Sequence, residues 1–277
     1  MSRTLRTLGL ATAILAGRAA AARAQHCHVD TPEPAATSTD PPRHVVAVTV
    51  ATRWIAGVGE VPNLTGSTMP LTRSYQGADL IVGAAWQRVN ATVGLGAYRV
   101  EAAGVGLDDL RGAVAVRVTP AAAPVAVRVV AGATLPTGDA DVGRGMGHVM
   151  AAGGAALGVG LGRLHLDGSV VYARALGDGA AHAAHAHGAE LWPLIDPMNA
   201  EEVTADLAAA ARPGPAWLAA LASAQLGEPL GHGQRRVVLG GGVEVTRGRY
   251  RAVASIAAPV VGTPYHARGQ LELAYHY

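Results

Sequence analysis

The last nine residues of the chain, "GQLELAYHY" at 269–277, alternate between apolar and polar side chains. In an extended strand the polar residues point to one side, and the other side carries Leu271, Leu273, Tyr275 and Tyr277. Such a strand either covers one side of a soluble sheet or faces lipid in a membrane barrel. The choice depends on whether the rest of the chain repeats the pattern.

The start of the chain predicts an exported protein. Arginines precede a short apolar run, "LGLATAILAG" at 8–17, and "AARA" at 21–24 has the small residues that a signal peptidase requires. We therefore expect residues 1–24 to be a cleaved signal peptide. Residues 25–43 are polar and rich in proline, and we expect them to form a disordered periplasmic leader.

The composition argues against a conventional globular core. Half of the residues are apolar, but phenylalanine is absent, aromatic residues make up 4%, and 36 of 277 residues are glycine. A thick soluble core would have to be filled mainly with alanine and valine. A single cysteine excludes an intramolecular disulfide, and a formal net charge of +2 gives no reason to expect nucleic-acid binding.

The chain after the leader falls into alternating segments separated by glycine, proline and polar residues. In "VVLGGGVEVT" at 237–246, valine and leucine share one face, whereas Glu244 and Thr246 share the other. We predict twelve strands, at 44–58, 75–88, 91–103, 108–119, 125–138, 147–161, 164–176, 201–212, 216–227, 235–247, 249–261 and 266–277.

The apolar face of these strands decides the fold class. Its residues are mostly small, and lipid, unlike a second protein layer, needs no complementary packing. Tryptophan and tyrosine lie near segment ends, as expected at the two membrane interfaces, and short links alternate with longer ones. The sequence therefore predicts an all-β fold: a transmembrane, antiparallel up-and-down β-barrel of about 12 strands at 44–277, in a bacterial outer membrane with both termini periplasmic.

The opposite face of the strands carries charges of both signs. Mixed signs argue against a channel that selects one sign of charge, and we expect many of these side chains to pair across the interior. The predicted lumen-lining residues are Arg53, Asp79, Arg117, Arg128, Asp167, Asp206, Glu244, Arg251, Arg268 and Glu272.

The C-terminal alternation that ends on Tyr277 resembles the sorting signal of bacterial outer-membrane proteins. In those proteins alternating apolar residues and a terminal aromatic residue are recognised by the barrel-assembly machinery. The resemblance implies that this machinery is a partner of the chain during biogenesis, and that outer-membrane lipid surrounds it afterwards. The residues that carry the signal are Leu271, Leu273, Tyr275 and Tyr277.

A second resemblance lies at 131–139, "AGATLPTGD", where an apolar strand enters a glycine-rich loop. From the residues alone, Pro136 ends the strand and Gly138 permits a positive φ, which predicts a turn at the barrel rim. The stretch resembles the outer-membrane family associated with the meta pathway of phenol degradation. That resemblance implies a barrel that admits small hydrophobic or aromatic compounds, and it rests on Leu135, Pro136, Thr137, Gly138 and Asp139.

The longest loop carries a histidine cluster, His182, His185 and His187. Imidazole suits zinc, copper or nickel, so a transition metal is the one cofactor candidate, although a merely hydrophilic surface loop explains the histidines more readily. The mature N-terminus has a second group of such ligands, His26, Cys27 and His28. Later in the loop lies an apolar group that either folds inward as a constriction or plug, or packs against neighbouring rims: Trp192, Pro193 and Leu194.

The sequence gives no reason to expect an enzyme, because G-x-S-x-G, H-E-x-x-H and phosphate-loop motifs are absent. His165, Asp167 and Ser169 share one face of a strand, but neighbours about 6–7 Å apart are too distant for a hydrogen-bonded relay. We therefore predict an outer-membrane channel for small solutes. The alternatives are a protein that binds or passes a transition metal through the histidine-rich extracellular loop, and a structural barrel with a blocked lumen.

Overall fold

The computed structural model of the protein describes residues 46–61, 71–176, 194–195, 197–231, 233–262 and 265–277. The predicted signal peptide and leader lie outside these residues and remain predictions. Among the described residues, no helix is both long enough and apolar enough to cross a membrane.

The described chain consists mainly of β-strands, as the alternating pattern predicts. Their bounds are β1 Ala47–Val61, β2 Leu71–Trp86, β3 Val89–Val100, β4 Gly104–Leu107, β5 Leu110–Arg117, β6 Val125–Leu135, β7 Val149–Leu161, β8 Leu164–Leu176, β9 Glu201–Ala211, β10 Leu218–Pro229, β11 Arg236–Arg247, β12 Tyr250–Val261 and β13 Tyr265–His276.

The strands form one closed antiparallel sheet. Each strand pairs with its neighbour in sequence, apart from the short β4, and β13 pairs with β1 from Thr49↔His276 to Gly59↔Tyr265. This last pairing closes the barrel and leaves the sheet with no free end strands. The fold class predicted from the sequence is confirmed.

The fourth strand of the barrel is interrupted. β4 pairs with Ala97–Val100 of β3, and β5 pairs with Val89–Gly94 of the same strand, so the two segments follow one another along one course. Counted as one strand, they give the described barrel the twelve strands that were predicted. The strand predicted at 108–119 is confirmed for Leu110–Arg117. The interpretation of 104–107 as a link between strands is wrong, because these residues form β4 and the interruption falls at Asp108 and Asp109.

The two faces of the wall differ as the pattern predicts. Arg53 is buried in the barrel interior, while the next residue, Trp54, is 44% exposed on the outside. The outer face is a continuous apolar surface, which suits lipid rather than water. One expectation is wrong: three tyrosines point inward instead of lying at the membrane interfaces, namely Tyr75, Tyr98 and Tyr265.

The two ends of the barrel also differ. At one end, the turn end, strands are joined by short connections such as Gly162–Arg163, where a φ of 66° at Gly162 suits a tight hairpin. Residues 46 and 277 also lie at this end. The opposite end, the loop end, carries the longer connections, including 136–148 and 177–200. The predicted asymmetry of connections is confirmed, and the assignment of the turn end to the periplasm remains a prediction.

Candidate functional site in the barrel lumen

The lumen contains two chemically different regions. Toward the loop end lies a buried apolar cluster, which we call the apolar chamber. It combines side chains from five strands with two residues of the connection between β8 and β9. Its members are Ile55, Tyr75, Tyr98, Val100, Leu194, Ile195, Val238 and Tyr265.

Glycines make room for the tyrosines of the apolar chamber. A Cβ atom at Gly57 would lie 2.5–2.7 Å from the ring and hydroxyl of Tyr75. Likewise, a Cβ at Gly77 or Gly96 would lie 2.5–2.6 Å from the ring of Tyr98. The rings therefore pack closely against the backbone of these glycines on the inner wall, and this explains why glycine interrupts the apolar and polar alternation of these strands.

The described residues 194–195 and 197–199 of the long β8–β9 connection enter the lumen, and we call them the inward segment. Leu194 and Ile195 are 0% and 2% exposed and belong to the apolar chamber. Of the two alternatives for this apolar group, the inward one holds for Leu194, whereas Trp192 and Pro193 lie outside the described residues. The segment fills the space toward which the three inward tyrosines point.

Two arginines of the wall hold the inward segment by its backbone. Arg268 Nη1 donates to the carbonyl oxygen of Ile195 at 2.9 Å, and Arg236 Nη1 donates to that of Pro197 at 2.5 Å. The Leu194 N–H donates to the carbonyl oxygen of Gly143 at 3.0 Å, which ties the segment to the neighbouring loop. In each of these three bonds the partner lies in the wall or in another loop, so the segment is held by residues outside itself.

A buried ion pair forms the base of the inward segment. Arg236 and Glu202 pair at 0% and 1% exposure. Glu202 also accepts from the backbone N–H and the side-chain amide of Asn199, at 3.1 Å and 2.7 Å, and from the Thr204 hydroxyl at 3.1 Å. A buried carboxylate with this many donors is well compensated, and removing one partner of such a pair is strongly destabilising. The sequence does not predict this pair, because both residues lie at strand ends, where the alternation is weakest.

Toward the turn end the lumen wall carries a row of alternating charges, which we call the charged belt. Arg212 Nη2 lies 3.1 Å from Glu244 Oε1, and Arg251 Nε lies 3.0 Å from Glu244 Oε2. Arg251 Nη1 reaches Glu272 Oε1 at 2.5 Å, and Arg53 Nε lies 3.3 Å from Glu272 Oε2. Each carboxylate therefore holds two guanidinium groups, in a chain that links β11, β12, β13 and β1 to the end of β9.

A second charged group continues from the belt. Arg53 is opposite Asp79 in the β1–β2 register. Asp79 Oδ1 accepts from the Tyr98 hydroxyl at 2.7 Å and lies 3.5 Å from Arg111 Nη2, which in turn lies 2.6 Å from Asp108 Oδ2. The Tyr98 ring belongs to the apolar chamber and its hydroxyl to this polar group, so Tyr98 joins the two regions of the lumen.

The remaining predicted lumen residues form smaller groups. Asp206 accepts from the Ser169 hydroxyl at 3.0 Å and from the Gln225 amide at 2.8 Å. Arg128 is buried opposite Arg117, which donates to carbonyl oxygens of the adjacent turn. The structure thus brings four predicted residues together in the charged belt and distributes the others along the wall.

One prediction about the inner wall is wrong. His165 and Asp167 were expected to lie too far apart for a direct contact, yet His165 Nε2 lies 3.1 Å from Asp167 Oδ2. Successive residues on one face of a strand have Cα atoms about 6–7 Å apart, but the imidazole and carboxylate ends of these two side chains meet. The proton of the Ser169 hydroxyl is donated to Asp206 on the next strand, so these residues are not arranged as a serine relay.

The "LPTGD" stretch lies where the fourth strand is interrupted. Leu135 ends β6, and the Thr137 hydroxyl donates to the carbonyl oxygen of Asp108 at 2.7 Å. The Gly138 N–H donates to Asp109 Oδ1 at 2.9 Å. Asp139 then caps a short 3₁₀ turn, Ala140–Val142. The stretch turns the chain at the rim, as predicted for Pro136, and it also fastens the following loop to the interruption.

The predicted reason for Gly138 is wrong. Gly138 does not have a positive φ; instead, a Cβ atom there would lie 2.1 Å from the carbonyl oxygen of Arg144. Close approach of backbone therefore requires glycine at this position. Arg144 itself donates to the carbonyl oxygens of Ala103 and Gly104, beside β4, at 3.3 Å and 3.1 Å.

The other predicted sites have different outcomes. His182, His185 and His187 lie outside the described residues, and the part of the chain that is described has no group of three His, Cys, Asp or Glu suited to a metal.

The C-terminal residues lie on the outer wall, where Leu271 and Leu273 are exposed. The Tyr275 ring packs edge-on against Tyr250 and Tyr277, with centroids 5.0 Å and 4.6 Å apart.

Comparison with known proteins places the fold among outer-membrane barrels. No protein family and no curated protein matches this sequence. An outer-membrane channel from Pseudomonas putida F1 superposes with a TM-score of 0.58 at 11% identity, over 87% of this chain and 100% of that chain. The NanC porin superposes with a TM-score of 0.51 at 8% identity, over 83% of this chain and 99% of that chain. At such low identity the likeness concerns the fold alone.

Proposed function

We propose that this chain is an outer-membrane channel that passes small, uncharged hydrophobic or aromatic solutes, with both termini in the periplasm. Three features support the membrane assignment: the closed wall, the apolar outer face and the polar inner face. The likeness in fold to an outer-membrane channel and to a porin agrees with it. In this proposal the C-terminal strand is the signal that the assembly machinery binds.

The proposed solute class is inferred mainly from the apolar chamber. A solute entering from the loop end meets tyrosine rings and aliphatic side chains that are buried in the lumen. Aromatic rings favour offset or edge-on contact with another aromatic ring, and the transfer of an apolar solute from water to apolar surroundings is favourable. The "LPTGD" resemblance to a family linked with phenol degradation points to the same solute class.

The charged belt disfavours ions. Its three guanidinium groups and two carboxylates lie at contact distance in an alternating chain, so the belt resembles a series of linked ion pairs more than a ring of one sign that binds ions. An ion crossing the apolar chamber would lose its hydrating water without gaining an equivalent polar partner there. This desolvation has a high free-energy cost.

Passage requires the inward segment to move. Leu194 and Ile195 occupy the chamber, and the hydrogen bonds that hold the segment come chiefly from Arg268, Arg236 and a neighbouring loop. The barrel ladder does not include the segment, so displacement would break a few hydrogen bonds and leave the wall intact. We propose that an apolar solute displaces Leu194 and Ile195 by taking over their contacts.

Flux into vesicles tests the proposal. The refolded protein is placed in vesicles whose outer leaflet contains lipopolysaccharide, because phenol crosses plain phospholipid, and protein-free vesicles give the background. We expect protein-dependent entry of phenol to exceed that of glucose. Equal entry of both would contradict an apolar selectivity. No protein-dependent entry of either would favour the alternative of a structural barrel with a blocked lumen.

A further inference from the structure

Methionine side chains gather at the loop end of the lumen, beside the inward segment. The chain has five methionines, and three of them lie in one buried cluster. Among the described residues of that cluster, every other side chain is alanine. The buried members are Met146, Met150, Ala173, Ala175 and Met198, and half-buried Ala152 and Ala200 pack against them.

Three separate parts of the chain supply these methionines. Met146 lies in the loop that follows "LPTGD", Met150 is the second residue of β7, and Met198 lies in the inward segment. Their exposed fractions are 6%, 1% and 3%. The cluster therefore joins a loop, the wall and the segment that fills the lumen.

The backbone around Met146 is fixed. Its N–H donates to Asp109 Oδ2 at 2.7 Å, and the next residue, Gly147, has a φ of 72°. A Cβ atom at the preceding Gly145 would lie 2.4 Å from Asp109 Oδ1, so the loop packs closely against this carboxylate. The side chain of Met146 thus starts from a defined position.

The backbone at the other two methionines is fixed as well. Met198 lies between Pro197, whose carbonyl oxygen accepts from Arg236, and Asn199, which donates to Glu202. Met150 is paired in the ladder opposite Ala175. Methionine is a common filler of irregular apolar gaps. Here, however, three methionine side chains from separate parts of the chain pack in one buried cluster whose other members are alanines, and their neighbouring backbone is held by hydrogen bonds, which suits a shared ligand better than gap filling.

We propose that Met146, Met150 and Met198 form a thioether site for a soft monovalent cation, Cu(I) or Ag(I). Thioether sulfur is an uncharged, polarizable ligand that favours Cu(I) over hard cations such as Mg²⁺ or Ca²⁺. Burial among alanine methyl groups keeps water away from the sulfur atoms. The proposed site uses none of the histidines at 182–187, and its existence does not depend on which solute the barrel passes.

A titration with the metal alone tests this site. The full chain is refolded in detergent with Cys27→Ser, His182→Ala, His185→Ala and His187→Ala, because thiolate and imidazole also bind these ions. It is titrated with Ag(I), and with Cu(I) under reducing conditions against a colorimetric chelator. The comparison protein carries Met146→Leu, Met150→Leu and Met198→Leu in the same background, since leucine approximates the volume of methionine.

We expect the background protein to bind one equivalent and the leucine variant to bind at least about tenfold more weakly. X-ray absorption of the bound metal should show sulfur neighbours. Strand circular dichroism and heat-dependent gel migration establish that both barrels are folded. Absence of binding to the background protein, or equal binding by the folded leucine variant, would overturn the proposal. If the triple variant does not fold, the single variant Met198→Leu replaces it in the comparison. It should weaken metal binding without altering the wall.

Discussion

The apolar chamber and the charged belt occupy the same lumen but are held together in different ways. The belt joins side chains that mostly lie on adjacent wall strands, so the barrel ladder itself fixes their spacing. The chamber is completed by the inward segment, which comes from a long connection and is held by a few hydrogen bonds. This difference suggests that the belt is part of the structural wall and that the chamber is the region able to open.

The largest effect is expected in the charged belt. Glu244 is 1% exposed and holds both Arg212 and Arg251. Glu244→Gln leaves Arg212 buried without its anion and leaves Arg251 with Glu272 alone, and we expect the free energy of unfolding to fall by about 3–5 kcal/mol. A urea titration measures this free energy, with heat-dependent gel migration as the readout of the folded fraction.

Glu228→Gln is the matched control for the belt variant. Glu228 pairs with Arg235 at 2.6 Å, but both side chains are more than 40% exposed, so screening by water makes this pair weak. Its loss should change the unfolding free energy far less than Glu244→Gln. Equal effects of the two variants would mean that the belt is not a structural part of the wall.

The next largest effect concerns the support of the inward segment. Arg268→Met removes the donor to the carbonyl oxygen of Ile195. We expect the unfolding free energy to fall by about 1.5–3 kcal/mol, the usual contribution of a hydrogen bond from a charged group. We also expect ion conductance in planar bilayers to rise, because the chamber opens more often.

Arg163→Met is the control for this variant, since Arg163 also donates to a backbone carbonyl oxygen, that of Pro213, but in an exposed turn. Its conductance should equal that of the unaltered protein. If Arg268→Met also leaves conductance unchanged, the inward segment does not limit passage.

A smaller effect is expected where tyrosine lies against glycine. Gly57→Ala places a methyl group 2.5–2.7 Å from atoms of Tyr75, so the ring has to shift, and we expect a loss of about 1–3 kcal/mol in unfolding free energy. At Gly112 the added methyl group would have Thr92 O as its nearest neighbour, at 3.9 Å, and Gly112→Ala should be nearly neutral. Comparable losses at both positions would indicate a general cost of alanine in these strands.

The smallest effect should come from Glu101, which lies outside both lumen regions. The backbone N–H and the hydroxyl of Ser74 donate to its carboxylate and lower its pKa from the ordinary value of 4.5. Its contribution to stability is therefore present above pH 4.5 and is lost as the pH falls through the lowered pKa. Glu101→Gln should flatten this part of the stability profile slightly, as measured by unfolding at a series of pH values. An unchanged profile would mean that the bonds from Ser74 do not contribute.

The sequence predicts the wall better than the interior. Alternation reports which face of a strand meets lipid, so the strand bounds at 164–176 and the inward positions of Arg53 and Glu244 follow from local pattern. Arg236 and Glu202 are far apart in sequence, and their pairing depends on a register that alternation does not specify. The inward tyrosines were missed for another reason, because the glycines that receive them lie elsewhere on the wall.

The selectivity of the lumen is tested most directly by phenol and benzoate, which share a ring and differ in charge at neutral pH. Their protein-dependent entry is measured in the same lipopolysaccharide-containing vesicles. An apolar chamber that controls passage predicts that phenol enters faster than benzoate, and that Arg268→Met reduces the difference. Equal entry, or faster entry of benzoate, would contradict the division of the lumen into an apolar chamber that selects solutes and a charged belt that supports the wall.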